Sequence, residues 1–227
     1  MRQYLLIDAD DTLWENNIYF EAAFDRFYEF LGHSSLTAEQ VRAALDEIEL
    51  IRIQTHGYGA RNFARNCAQC FERLVEREIA PGDVERIISL ADDIMGRPIE
   101  LLPGVEATLV QLASRHDLTL FTKGHPEEQQ MKIDRSEIAH YFSQTLIVRE
   151  KNAEAYAGIV AERALPRELT WMIGNSPKSD INPALAAGLN AVFVPHERTW
   201  HLEKTDLGVG NGKLIVVETF SDLLNIF

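Results

Sequence analysis

The spacing of apolar residues changes twice along the chain and divides it into three parts. Residues 3–8 form a short apolar run of the length that a buried strand needs. From about residue 15 to 97 the apolar residues recur at helical spacing, and Thr37 and Gln40 form a capping box at one predicted helix start. Helices are predicted over residues 19–32, 37–57, 60–78 and 81–97. The sequence therefore predicts an all-helical block after the first strand.

From about residue 98 onward, strands and helices alternate. Strands are predicted over residues 117–122, 144–148, 170–174 and 190–195, and helices over residues 104–116, 126–138, 152–165 and 179–189. This alternation is typical of a parallel sheet with helices on both faces, and the first strand fits the same sheet. We predict an α/β core domain formed by residues 1–14 and 98–227, with an inserted helical domain over residues 15–97.

Polar residues follow four of the predicted strands. Because ligands bind beyond the carboxyl ends of the strands in open α/β sheets, these residues are candidates for a site. They are Asp8 and Asp10 after the first strand, Thr122, Lys123 and Gly124 after the second, Lys151 after the third, and Asn175 and Asp180 after the fourth. Two acids, a hydroxyl, a lysine and a loop with an amide and an acid would then meet at one edge of the sheet.

The stretch "LLIDADDTLW" places Asp8, Asp10 and Asp11 at the end of a buried strand, where repulsion and burial both disfavour them. In an extended chain, Asp8 and Asp10 project to the same side, roughly 6–7 Å apart, and Asp180 is able to join them. A divalent cation among these carboxylates would remove the repulsion, and Mg²⁺ suits oxygen ligands in this number. The sequence therefore predicts a Mg²⁺ site.

The same residues suit phosphoryl transfer. Asp8 is a plausible nucleophile toward phosphorus, and Asp10 a plausible acid and base for the leaving group and the attacking water. Thr122 and the backbone N–H groups beside it can hold phosphoryl oxygens, and Lys151 can neutralise both the nucleophile and the phosphate. Lys123 and Lys132 are alternatives for the role of Lys151.

Four motifs in this order resemble those of the haloacid dehalogenase-like (HAD) hydrolase superfamily. "LLIDADDTLW" resembles the first motif, D-x-D-x-T, and "LTLFTKG" resembles the second, an apolar strand that ends in Thr or Ser. Lys151 resembles the third-motif lysine, and "MIGNSPKSDINPALAAG" resembles the fourth motif, which is usually G-D-x-x-x-x-D. The motifs extend from residue 4 to about residue 195, so the resemblance covers the whole predicted core.

The resemblance implies a Rossmann-like core, Mg²⁺ dependence and the catalytic roles given above. It also implies that the Asp8 side chain, the Asp10 backbone carbonyl and a fourth-motif carboxylate bind the metal. The helical insertion resembles the C1 cap of subfamily I, a lid that closes over the substrate. One residue departs from the pattern, because Asn175 stands where the family usually has Asp. Its carbonyl oxygen can still bind a metal but adds no charge, which leaves Asp180 as the better candidate for the acidic ligand.

The predicted cap offers weaker signals. "IQTHGYGARNF" has the composition of a loop that faces a pocket, so Tyr58 and Arg61 are candidate substrate contacts, with an ordinary turn between helices as the alternative. Cys67 and Cys70 are the only cysteines, and no second pair exists to complete a zinc site, so we interpret them as two reduced structural thiols. The late stretch "HERTWH" has no assigned role.

The function predicted from these residues is hydrolysis of a small phosphorylated metabolite. A phosphomutase and a 2-haloacid dehalogenase on the same scaffold are the alternatives, together with a non-catalytic binding protein. Asp10 argues against the dehalogenase, which needs no acid at that position. A phosphonate hydrolase would need a cap lysine, and no lysine lies between Met1 and Lys123.

Charge and composition limit the partners. The net charge of −13 disfavours a nucleic-acid or anionic-membrane surface, although a pocket can be positive locally. No apolar run reaches the roughly 18 residues of a membrane span, and the first residues lack the pattern of a signal peptide. We therefore expect a cytoplasmic protein whose partner is a small molecule.

Overall fold

The computed structural model describes residues 1–227, which fold into two compact units. The first unit comprises Met1–Asn17 and Ile99–Phe227, and the second comprises Ile18–Pro98. The strands are β1 (Tyr4–Ile7), β2 (Asp117–Lys123), β3 (Gln144–Val148), β4 (Thr170–Gly174), β5 (Asn190–Phe193) and β6 (Leu214–Val216). The α-helices are α1 (Asn17–Leu31), α2 (Ala38–His56), α3 (Ala60–Leu74), α4 (Asp83–Ile88), α5 (Leu90–Met95), α6 (Val105–Ala113), α7 (Pro126–Arg135), α8 (Ala153–Glu162) and α9 (Asn182–Ala186).

The first unit is built on a parallel sheet with the strand order β3-β2-β1-β4-β5-β6. The chain runs outward in one direction from β1 through β2 to β3, and in the other direction from β4 to β6. The order therefore reverses beside β1, and this is where open sheets of this kind bind ligands. The predicted Rossmann-like α/β fold is confirmed. The sequence did not predict β6, whose three residues are too short a run to stand out.

Alternate residues of β1 pack on the two faces of the sheet, as the period of a strand requires. Leu5 and Ile7 belong to a core that includes Leu109 of α6. Leu6 points to the other face and packs in a core with Tyr156 of α8. All these side chains are buried, which fixes β1 in the centre of the sheet. The acids that follow β1 are therefore attached to a firmly held strand.

The second unit is helical, and its core is rich in aromatic side chains. Phe27, Phe63 and Phe71 are buried there, on α1 and α3. Cys67 and Cys70 of α3 lie in the same core as free thiols, and burial raises the pKa of both. The helix predicted over residues 81–97 is divided into α4 and α5. No helix of the chain combines the length and the apolar character that crossing a bilayer requires.

Glu49 of α2 is a buried acid in the core of the second unit, and its Oε2 atom has no hydrogen-bond partner. Burial raises the pKa of Glu49 from 4.5 to about 7, although the Arg42 guanidinium acts in the opposite direction. Between these two pH values the folded chain holds a proton that the unfolded chain has lost. Stability therefore falls as the pH rises from 4.5 to about 7, and the full cost remains at higher pH.

We expect Glu49→Gln to increase the free energy of unfolding by up to about 3 kcal/mol at pH 8.5, and by much less at pH 5. Urea unfolding of the full chain at both pH values measures the difference. Glu47→Gln is the matched control, because Glu47 lies on the same helix with an exposed side chain paired to Arg73. A gain that is equal at the two pH values would show that the charge of Glu49 does not cause it.

Candidate active site

The turn after β1 separates the roles of its acids. The N–H groups of Thr12 and Leu13 both donate to the carbonyl of Ala9, and Asp11 adopts a left-handed conformation with φ 59°. The Asp11 carboxylate accepts hydrogen bonds from the backbone N–H groups at the start of α1. Burial raises the pKa of Asp11 to about 7 against the effect of these bonds. Asp11 therefore serves the connection to α1.

Lys151 joins two of the predicted site acids. Its Nζ atom lies 2.5 Å from Asp8 Oδ1 and 2.8 Å from Asp180 Oδ1, and its side chain is only 1% exposed. Burial disfavours the ammonium, but the charges of Asp180 and Asp8 outweigh this effect and raise the pKa of Lys151. The lysine is therefore charged and balances the carboxylates that end β1 and follow β4.

Asp180 is packed against the backbone of the fourth-motif glycine. A Cβ atom on Gly174 would lie 2.2 Å from Asp180 Oδ2, so only glycine leaves room for this carboxylate. The N–H of Ser176 donates to the same oxygen at 3.0 Å. Burial and the charge of Asp8 raise the pKa of Asp180 to about 7, although Lys151 acts in the opposite direction. A cation beside this carboxylate would favour its charged form.

Asn175 is oriented by hydroxyl groups on two sides. The Thr12 hydroxyl lies 2.9 Å from Asp8 Oδ2 and 3.2 Å from Asn175 Oδ1. The Asn175 Nδ2 group donates to Thr199 Oγ1 at 2.9 Å, which leaves the carbonyl oxygen on the side of Asp8. The amide therefore presents an oxygen at the place where the family usually has a carboxylate.

Three side chains hold the Asp10 carboxylate. Lys132 Nζ lies 2.7 and 2.6 Å from its two oxygens, and Trp14 Nε1 donates to Oδ1 at 2.8 Å. Gln129 Nε2 lies 3.1 Å from Oδ2. Lys132 and Gln129 are three residues apart on α7, so they lie on the same face of that helix. Asp10 is thus fixed separately from Asp8.

Thr122 is buried at the end of β2 beside the same glutamine. Gln129 Nε2 donates to Thr122 Oγ1 at 2.6 Å. Gly124 has φ +149°, and a Cβ atom there would lie 2.9 Å from Gln129 Cγ, so glycine allows this side chain to approach. The Gly124 N–H is already donated to the carbonyl of Val148. The phosphate contact predicted for Gly124 stays a prediction.

The three lysines compared in the sequence bind three different carboxylates. Lys151 binds Asp8, and Lys132 binds Asp10. Lys123 Nζ lies 2.8 Å from an oxygen of Glu203, a buried residue far along the chain. The predicted contact of Lys123 with substrate therefore stays a prediction.

The sequence did not predict several residues that contact the site acids. The sequence indicated Lys132 only as an alternative to Lys151, and it indicated no role for Trp14. It indicated no role for Gln129, Thr199 or Glu203 either. One local signal was present for Gln129 and Lys132. They are three residues apart on α7, and this helix follows β2, the strand that carries the candidate residue Thr122.

Tyr58 and Arg61 belong to the second unit. Tyr58 lies in the short connection between α2 and α3, and Arg61 is exposed in the first turn of α3. The connection is fixed by the buried Asn62, whose Nδ2 group donates to the His56 carbonyl at 2.7 Å and to the Tyr58 carbonyl at 3.2 Å. The loop has a defined conformation, and its contact with substrate stays a prediction.

The donor atoms at the end of the sheet fit Mg²⁺ by their chemistry. Asp8 and Asp180 offer carboxylate oxygens, and Asn175 offers the amide oxygen oriented by Thr199. These are the hard ligands that Mg²⁺ prefers. A second group, formed by Asp11, Glu15 and His196, has potential ligand atoms within 4.8 Å of one another. It includes an imidazole and the carboxylate that caps α1, so it fits Mg²⁺ less well.

Comparison with known proteins agrees with this arrangement. The model of the haloacid dehalogenase-like hydrolases matches residues 3–188. A phosphoserine phosphatase of Thermus thermophilus is 29% identical over 185 residues, which cover 78% of this chain and 70% of that protein. The family match includes all four strand ends that carry the candidate site residues.

Solved structures share the fold. A haloacid dehalogenase-like family hydrolase from Xanthomonas campestris has a TM-score of 0.82 at 27% identity, over 99% of this chain and 94% of that chain. An L-2-haloacid dehalogenase from Xanthobacter autotrophicus has a TM-score of 0.66 at 14% identity, over 100% and 98% of the two chains. At 14% identity the likeness concerns the fold alone.

Proposed function

The chain belongs to the haloacid dehalogenase-like hydrolases, and from that premise we propose that it is a Mg²⁺-dependent phosphatase acting on a small phosphorylated metabolite. Asp8 is the nucleophile, and Asp10 is the general acid and base. Thr122 and Lys151 bind the phosphoryl group, while Asp8, Asp10, Asn175 and Asp180 hold the metal. Lys123 and Gly124 adjoin the phosphoryl group, and Tyr58 and Arg61 contact the rest of the substrate.

The reaction proceeds by two displacements at phosphorus. An Asp8 carboxylate oxygen attacks, the ester P–O bond breaks, and Asp10 gives a proton to the departing oxygen. Asp10 then removes a proton from water, which attacks the aspartyl phosphate and releases inorganic phosphate and free Asp8. Bound Mg²⁺ supplies positive charge that offsets the charge of the phosphate and of the carboxylates around it.

The observation that carries the proposal is the set of donors on Asp10. Lys132, Trp14 and Gln129 all fix this one carboxylate. A dehalogenase that attacks carbon has no leaving-group oxygen to protonate, so it has no use for a second positioned acid. A phosphatase needs such an acid twice, first for the leaving group and then for water.

Lys151 supports the same proposal. Its ammonium lies 2.5 Å from an Asp8 oxygen in a buried environment, where a fixed charge interacts more strongly than in water. In phosphoryl transfer, most of the catalytic effect comes from such positioned charges. Lys151 therefore holds the nucleophile in place and offsets charge that accumulates on the phosphoryl oxygens.

The substrate class is a phosphomonoester of small size. The similarity to a phosphoserine phosphatase favours a phosphorylated amino acid or a metabolite of comparable size. The basic side chain of Arg61 and the hydroxyl of Tyr58 would suit an anionic or hydroxylated substrate. A phosphomutase, which returns the phosphoryl group to its substrate, remains an outcome of the test below.

We expect the protein to release phosphate from a panel of phosphorylated metabolites and from p-nitrophenyl phosphate when Mg²⁺ is present, and to lose this activity in EDTA. The panel includes L-phosphoserine and sugar phosphates, and halide release from 2-chloropropionate is measured in parallel. We expect no halide release.

The outcomes separate the candidate functions. Halide release that persists in EDTA would contradict the proposal and favour a dehalogenase. Rearranged phosphate esters without free phosphate would favour a mutase. Binding of Mg²⁺ by a folded protein that turns over no substrate would favour a binding protein.

A further inference from the structure

The late segment, residues 195–204, contains the stretch "HERTWH" and follows β5. It lies beyond residues 3–188, which the family model matches. Three of its groups nevertheless form hydrogen bonds with other parts of the first unit, close to the site. Thr199 accepts a hydrogen bond from Asn175, the Arg198 carbonyl accepts one from Asn17, and Glu203 is buried among polar groups of the fourth-motif loop.

The Glu203 carboxylate accepts hydrogen bonds from three side chains. Its Oε1 atom accepts from Lys123 Nζ at 2.8 Å. Its Oε2 atom accepts from the hydroxyl of Ser176 at 2.6 Å and from the hydroxyl of Ser179. Lys123 also donates to Ser179 Oγ at 2.7 Å, which closes a ring of hydrogen bonds. The carboxylate thus joins the end of β2 to the loop after β4.

The charge of Glu203 is maintained by these partners. Burial alone would favour the neutral acid, but Lys123 and the two serine hydroxyls outweigh it and lower the pKa of Glu203. A buried charge with complete partners costs little, whereas the loss of one partner leaves the others unsatisfied. The arrangement therefore requires both the negative charge and its position.

The two serines that bind Glu203 also fix the acid of the fourth motif. The Ser176 N–H donates to Asp180 Oδ2 at 3.0 Å, and the Ser179 N–H donates to Ser176 Oγ at 2.9 Å. The backbone N–H of Asp180 in turn donates a hydrogen bond to the Ser176 carbonyl. A shift of either serine would consequently move the Asp180 carboxylate away from Lys151 and Asp8.

We propose that Glu203 is a positioning residue, which holds the loop of residues 175–180 in the geometry that binds Mg²⁺. The inference rests on the proposed function, because it concerns the metal site proposed for Asp8, Asn175 and Asp180. Thr199 acts in the same segment by orienting the Asn175 amide, and Glu203 acts through Ser176 and Ser179. Neither residue contacts substrate.

Calorimetric titration of the full chain with Mg²⁺ alone tests this inference, because it needs no substrate and no turnover. We expect Glu203→Gln to raise the Kd for Mg²⁺ about tenfold, the size of effect that outer partners of metal ligands have. An amide has one acceptor oxygen, so it cannot accept from Lys123 on one side and from the serines on the other.

Glu197→Gln is the matched control, because it removes the same charge from the same segment. The Glu197 side chain is 75% exposed and pairs only weakly with Arg198, so we expect the wild-type Kd. Ser179→Ala is the second test variant. It keeps the charge of Glu203 but removes one of its donors, and we expect a several-fold higher Kd. It decides the matter if Glu203→Gln does not fold.

Each outcome has one meaning. A wild-type Kd for the folded Glu203→Gln and Ser179→Ala variants would overturn the inference, as would an equal loss in Glu197→Gln or no Mg²⁺ binding by the wild type. If Glu203→Gln weakens Mg²⁺ binding while the wild type releases no phosphate, the inference stands and the proposed function fails. If the wild type releases phosphate and Glu203→Gln has the wild-type Kd for Mg²⁺, the proposed function stands and the inference fails.

Discussion

Asp8→Asn is expected to lower kcat for phosphate release by about 10⁴-fold or more, because an amide is a poor nucleophile toward phosphorus. The substitution preserves the size of the side chain and its acceptor oxygen toward the Thr12 hydroxyl. It removes one of the two carboxylates that hold Lys151, while Asp180 remains. We therefore expect a folded protein that retains substrate binding. Steady-state kinetics with the best substrate of the panel, at saturating Mg²⁺, measures the effect.

Asp11→Asn is the control for this experiment. It makes the same Asp-to-Asn substitution in the same motif, and the amide oxygen can still accept from the backbone N–H groups at the start of α1. We expect it to retain kcat within about tenfold of the wild type, since Asp11 has no part in the proposed chemistry. Equal losses in the two variants would contradict the assignment of Asp8 as the nucleophile.

The core fold was predictable from sequence because its strands have strong local patterns. β1, β2, β4 and β5 are apolar runs bounded by polar turns, and each is separated from the next by helical periodicity. β6 lacks such a signal, because its three residues depend on pairing with β5. The division of one predicted helix into α4 and α5 likewise depends on packing within the second unit.

The acids of the site were predictable for a different reason. Residues after parallel strands share one edge of the sheet, so Asp8, Lys151 and Asp180 were expected to lie together whatever the details of the loops. The structure places Lys151 within 2.8 Å of both acids. Their catalytic roles remain predictions until the variants are measured.

The partners of these acids could not be predicted, because they are set by contacts between distant parts of the chain. Lys132 is 122 residues from Asp10, and Glu203 is 80 residues from Lys123. The residues around Lys123 and Lys132 in the sequence do not indicate which carboxylate each lysine binds. Lys151 and Lys132 balance the charge that the first motif concentrates at the end of β1, and Lys123 balances Glu203.

Lys151→Met is expected to affect both stability and catalysis. The substitution keeps much of the side-chain volume but leaves Asp8 and Asp180 buried beside each other without a cation. Removing one partner of a buried ion pair costs about 3–5 kcal/mol, and Asp180, whose pKa is already raised, lowers this cost by taking up a proton at low pH. We expect the free energy of unfolding to fall by about 3 kcal/mol at pH 8 and by less at pH 5. Urea unfolding in EDTA measures it.

The catalytic effect of Lys151→Met follows from the same charges. Loss of the ammonium removes a fixed positive charge from the phosphoryl site, and we expect kcat to fall about 10²–10³-fold. Mg²⁺ is expected to restore part of the lost stability, because it binds the folded chain and offsets the same two carboxylates.

Lys178→Met serves as the control. Lys178 is an exposed residue whose ammonium donates only to the Leu202 carbonyl. We therefore expect its free energy of unfolding to stay within about 0.5 kcal/mol of the wild type. If Lys151→Met were as stable and as active as Lys178→Met, the charge of Lys151 would have no part in the site, and another cation would have to balance Asp8 and Asp180.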